Sequence, residues 1–185
     1  MKRVLICTGL LFAATTLLAQ MAPPKPPPKS PPATCTATIG GKTITITYNS
    51  PRVNGREGKI FTPDGLIKQT HKSYPVWRAG ANSATTLHTD GDIMIGDLMV
   101  PAGTYTLFVD ISDTARWVLI VSKATGEWGL AYDPAKDLGK VPMMTSKPPA
   151  MVEDLTYTLT DDGGGKGTLT LAWEDVSASV HIMAH

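Results

Sequence analysis

Cysteine is nearly absent from this chain: its 185 residues hold two, Cys7 and Cys35. Cys7 falls in an opening where Lys2 and Arg3 precede the apolar run Val4 to Ala19, the order of a secretory signal with a cut after Ala19. Residues 1–20 are therefore read as a signal peptide. The run is about 16 residues long and is broken by Thr8, Thr15 and Thr16, short of the roughly 20 a spanning helix needs. Because Cys7 precedes most of that run, it does not suit a processed lipid site. Cys35 is then the only cysteine of the mature chain, which excludes an intramolecular disulfide. A leftover thiol in an exported protein reads either as reactive or as a small buried hydrophobe, and burial is expected here.

A charge of one sign is lacking too. Removing residues 1–20 takes Lys2 and Arg3 and no acid, so Lys plus Arg falls from 17 to 15 against 16 Asp plus Glu, a formal net charge of −1. No basic field is available for a nucleic-acid backbone or an anionic membrane. A sustained helical period is missing as well, and so are a Gly-x-Ser-x-Gly nucleophile elbow and any cofactor signature. The four histidines, His71, His88, His181 and His185, form neither an i, i+4 pair nor a His-x-His pair, so no metal site is read. His88-Thr89-Asp90-Gly91-Asp92 lacks the spacing of a calcium loop and reads as a turn of solvated acids.

Proline, in contrast, is dense from Pro23 to Pro32, where it fixes φ and removes amide donors. Residues 21–33 read as an extended linker in polyproline II conformation, able to space a domain by roughly 30 Å at about 3.1 Å per residue. Residues 34–185 are expected to form one domain, since 42% hydrophobic residues suffice for an ordinary core.

That domain opens with a hairpin. Cys35, Ala37 and Ile39 alternate with Thr34, Thr36 and Thr38; Gly40-Gly41 supplies the turn; Ile44, Ile46 and Tyr48 alternate with Thr43, Thr45 and Thr47. Short strands recur at Ala84–Thr89, Ile93–Ile95, Thr104–Ile111 and Arg116–Val121. Leu155 to Thr160, Leu169 to Trp173 and Val176 to Ile182 follow, with turn residues between them. The fold class this predicts is all-β, an antiparallel β-sandwich of jelly-roll-like form or an irregular barrel.

Two stretches lack the strand rhythm, Asn49 to Ser83 and Lys123 to Pro149, and long loops in a compact domain are usually functional or disordered. The first presents Arg52 and Arg56 around an Asn54-Gly55 turn and ends in Trp77-Arg78-Ala79-Gly80-Ala81-Asn82. The second carries Trp128, Tyr132 and the acids Glu127, Asp133 and Asp137.

Several motifs then occur in order: Tyr48-x-x-Pro51-x-x-x-Gly55-Arg56, Trp77-Arg78-x-Gly80-Ala81-Asn82, Pro101-Ala102-Gly103-Thr104-Tyr105-x-Leu107-Phe108 and Leu171-x-Trp173-Glu174. Together they resemble the DUF2911 family of exported bacterial proteins over most of the chain from about Pro32. The resemblance implies an exported setting, periplasmic or extracellular, and supplies no catalytic residues. Thr62 to Gly65 and His71 fall outside the motifs that carry it.

The candidate ligand contacts are Arg52, Arg56, Trp77, Arg78, Asn82 and Trp128. A planar guanidinium grips a carboxylate or phosphate through its fork, an asparagine adds a donor and an acceptor, and an indole face packs on apolar or sugar CH groups. The same residues also suit loop staples and core caps. Three functions are carried forward: a non-catalytic exported module binding a small polar ligand, glycan or envelope protein; a hydrolase or lyase with an arginine clamp and His71 or His88 as base; and a structural envelope module.

Overall fold

The computed structural model describes residues 29–126 and 128–184. The signal peptide read at 1–20, most of the linker at 21–33, Glu127 and His185 lie outside the described residues.

Among the described residues thirteen strands follow in chain order: β1 (Pro32–Ile39), β2 (Lys42–Asn49), β3 (Val76–Trp77), β4 (Thr85–Thr89), β5 (Ile93–Ile95), β6 (Leu98–Val100), β7 (Gly103–Asp110), β8 (Val118–Ser122), β9 (Asp137–Pro142), β10 (Met144–Ser146), β11 (Val152–Gly163), β12 (Lys166–Glu174) and β13 (Val176–Ala184). One short helix, α1 (Leu66–Thr70), and a 3-10 turn at Pro134–Lys136 complete the list. Two antiparallel sheets result, one ordered β1-β2-β4-β7-β8-β9 with β3 also on β7, the other β11-β12-β13-β5-β6 with β10 on β13. They pack as a sandwich rather than a closed barrel. Among the described residues no helix is long and apolar enough to cross a membrane.

The alternation of side chains explains the layers. The opening hairpin pairs Thr38 with Thr43 and Ala37 with Ile44 across Gly40 and Gly41, both at positive φ, as a tight turn with right-handed twist requires. Every second residue then points inward: Ile44, Ile46 and Tyr48 from β2, Leu107 and Val109 from β7, and Leu169, Leu171 and Trp173 from β12 all join one core. Cys35 is half-buried against that core, and burial raises its thiol pKa.

Both irregular stretches hold more structure than expected. The first contains α1 and β3, and the second contains β9 and β10. The second also has a packing role. β7 and β8 are buried on both faces, and on the outer face Phe108 and Ile120 join Val76 in a small separate cluster. Tyr132 covers that cluster, its ring 5.2 Å from Phe108 and its hydroxyl donating to Asp137 at 2.6 Å.

Candidate functional site

The chain leaving β2 does not wander. Ser50 donates its backbone N–H to the Pro31 carbonyl at 2.9 Å and its hydroxyl to the Leu155 carbonyl at 2.7 Å, tying three segments together. Arg52 then bridges to Asp154, and Val53 and Asn54 donate to Glu153, so residues 50–54 run along the start of β11. Farther on, the Glu174 carboxylate accepts from the Gly58 amide, and Lys59 and Ile60 accept from the first residues of α1. Glu174 is buried, which raises its pKa above the ordinary carboxylate range.

The return of this stretch is fixed by aromatics. Trp77 is 0% exposed, stacks on Trp173 at 5.8 Å and meets Phe61 edge-on, with Trp117 closing the group. Its indole N–H donates to the Gly80 carbonyl at 3.3 Å. Ala79 sits at positive φ, and its carbonyl accepts from both Thr85 and Tyr157 at 3.0 Å. An alanine in that region costs about 1–2 kcal/mol, and the surrounding bonds offset it.

Between the lead-in to β1, residues 50–56, α1 and the Trp77–Ala81 segment lies an open cleft of about 770 Å³. That volume falls within the usual range for small-molecule sites. Its apolar lining comes from Pro31, Ala33 and Leu66, with Pro51, Ile67, Trp77 and Trp173 buried beneath them. Its charge is lopsided: Lys29, Arg52, Arg56 and Arg78 line it against a single acid, Asp154.

The predicted contacts separate into two groups. Arg52, Arg56, Trp77 and Arg78 line the cleft; Asn82 and Trp128 do not. Arg52 is already engaged, its Nε 2.7 Å from Asp154 Oδ1 with Nη2 3.4 Å from Oδ2. Arg56 donates from Nη2 to the Arg52 carbonyl at 2.6 Å. Arg78 donates from Nη1 to the carbonyls of Asn82 at 2.6 Å and Trp128 at 3.0 Å, so both residues hold Arg78 in place through their backbones. Trp77 contributes floor rather than an exposed stacking face. Trp128 presents an indole that is 60% exposed, outside the cleft.

What remains unsatisfied is informative. The Nε atoms of Arg56 and Arg78 are buried with no hydrogen-bond partner among the described residues, and so is Nε2 of His71. All three residues line this one cleft. Buried polar atoms are nearly always paired, which makes these three, with Asp137 Oδ1 elsewhere, the exceptions among the described residues. Burial lowers the pKa of Arg78, and burial with the Arg78 charge lowers that of His71 from 6.5 to about 4. His71 is thus neutral near pH 7. His88 lies apart on the outer face, paired with Thr104 Oγ1 at 3.0 Å.

His71 was in view in the sequence only as one of two possible bases. Its signal there is faint, a histidine directly after a short apolar-polar turn, with no motif around it. Among the described residues no group of three or more His, Cys, Asp or Glu is placed to hold a metal.

In a comparison with known families, the model described as a protein of unknown function, DUF2911, matches residues 30–182. No curated protein and no solved structure matches the chain.

Proposed function

The chain belongs to the DUF2911 family, and on the geometry of its cleft we propose that it is an exported module binding a small organic anion. Arg56 and Arg78 supply the direct contacts. Lys29 adds positive potential, Arg52 being paired with Asp154, and the apolar lining takes the body of the ligand. The observation that carries this reading is the pair of unpartnered guanidinium Nε atoms in one positively lined cleft. A glycan stacked on Trp77 is disfavoured, because that indole is fully covered. A catalytic reading has His71 beside Arg78, yet a base with pKa about 4 is poorly matched to proton abstraction near neutrality. Binding is therefore preferred over a hydrolase or lyase, and a cleft of about 770 Å³ suits a ligand better than a purely structural envelope module does.

The test is a thermal-shift titration of the mature chain with inorganic phosphate and with citrate at low salt. A ligand at about 100 times its Kd stabilises by about 2.7 kcal/mol. The expected result is saturable stabilisation that weakens at least tenfold in Arg56→Gln and in Arg78→Lys. Arg116→Gln, whose arginine is exposed and 3.9 Å from Asp113, leaves it unchanged. No stabilisation by any anion, or equal stabilisation of all variants, refutes the proposal. Export to the periplasm or beyond rests on residues 1–20 and is checked by N-terminal sequencing of the fractionated protein, which should begin near residue 20.

A further inference from the structure

His71 narrows the ligand class further. Its ring is 5% exposed and held from one side. Nδ1 lies 3.2 Å from the Ile67 carbonyl and 3.0 Å from Thr70 Oγ1. The carbonyl can only accept. The single hydroxyl hydrogen of Thr70 is committed to the Leu66 carbonyl at 2.7 Å, so Thr70 also faces the ring as an acceptor. Nδ1 therefore carries the proton of the neutral imidazole. Nε2 is left as a bare lone pair, buried and without a partner among the described residues.

A lone pair in that position calls for a donor. An ammonium group is the wrong donor, because Lys29, Arg52, Arg56 and Arg78 outnumber Asp154 around the same space. A second acidic oxygen is also wrong, since an ionised carboxylate has no hydrogen to give. A neutral hydroxyl meets both conditions. Building on the anion-binding reading above, we infer that the cleft selects a hydroxylated organic anion, the arginines holding its acidic group while His71 Nε2 accepts the hydrogen of a neighbouring hydroxyl. His71 is on this account a specificity residue. Sites that hydrogen-bond a ligand hydroxyl reject the analogue lacking it far more strongly than apolar pockets reject an extra group, because the buried protein atom is left unpaired.

The experiment compares 2-hydroxyhexanoate with hexanoate, two acids that differ by one hydroxyl, by calorimetric titration into the wild-type chain and into His71→Asn. Asparagine keeps a donor where Nδ1 stands and removes Nε2. The expected result is at least tenfold tighter binding of the hydroxy acid by the wild type, with the two acids equal in His71→Asn. The side-chain nitrogen resonance of Nε2 in the wild type should also shift with the hydroxy acid and not with hexanoate, a readout that needs no variant. If both acids bind the wild type equally and Nε2 is unmoved, the role of His71 is refuted and the anion site stands. If neither acid, nor phosphate, binds, both readings fall.

Discussion

Lowering the pH should unfold this protein partly through one histidine, and the size of that effect follows from where His71 sits. Its folded pKa of about 4 lies below the ordinary value of 6.5, because burial and the neighbouring Arg78 both oppose a second proton. The unfolded chain binds that proton first as pH falls. The contribution to stability is therefore whole above pH 6.5 and is lost progressively between about 6.5 and 4. At about 1.4 kcal/mol per unit the full loss is bounded by about 3.4 kcal/mol, and roughly 60% of it is complete by about pH 5. Water in the open cleft screens part of this, which brings the expected loss between about pH 7.5 and pH 5 to about 1–2 kcal/mol. Carboxylates titrate in the same range, so the measurement is a difference. Urea unfolding of wild type and His71→Asn at both pH values gives the change for each, and the variant should lose about 1–2 kcal/mol less than the wild type. Equal losses would show that His71 titrates normally and that the buried, neutral ring described here is wrong.

Two further substitutions probe the scaffold of the site. Trp77→Ala removes a fully buried indole from the Phe61, Trp117 and Trp173 group and should cost about 3–5 kcal/mol by denaturant unfolding; a cost below about 1 kcal/mol would mean the indole is not part of the core. Gly129→Ala places a methyl 2.8 Å from Cδ of Arg78 at a residue with φ +80°. Beyond a backbone cost of about 1 kcal/mol, it should displace the guanidinium and weaken anion binding several-fold in the thermal-shift titration, and unchanged binding would separate Arg78 from the site.

Much of the fold was legible in the sequence because its strands obey a period of two. The threonine ladders of β1 and β2 show their solvent face directly, with Thr34, Thr36, Thr38 and Thr47 exposed while Ile44, Ile46 and Tyr48 are buried. β9 and β10 were missed for a physical reason. β9 lies at one end of its sheet, where alternation is relaxed and Pro142 is tolerated, and β10 is three residues long. The helix α1 has five residues, too few to display a helical period. Trp77 looked like a loop-edge aromatic since its strand is two residues long and shows no pattern, yet β7 holds it at the centre of the core.

The site divides in the same way. Arg52, Arg56 and Arg78 were legible as candidates from their residue type in unpatterned segments. Their convergence with His71 was not, because it depends on Ser50, Asp154 and Tyr157 pulling a stretch of more than 30 residues back against β11. Asn82 and Trp128, read in the sequence as ligand contacts, meet Arg78 through their backbone carbonyls, which any residue possesses. No side-chain argument could have assigned them that part.

Two arginine Nε atoms, buried and without a partner among the described residues, carry the proposed function. Nitrogen-15 spectra of the arginine side chains, recorded while citrate is titrated into the mature chain at low salt, observe those atoms themselves. The Nε–H signals of Arg56 and Arg78 should move together along one saturable curve, with that of the exposed Arg116 stationary. If Arg56 and Arg78 stay still, or move only in step with Arg116, the cleft does not bind anions and the proposed function is wrong.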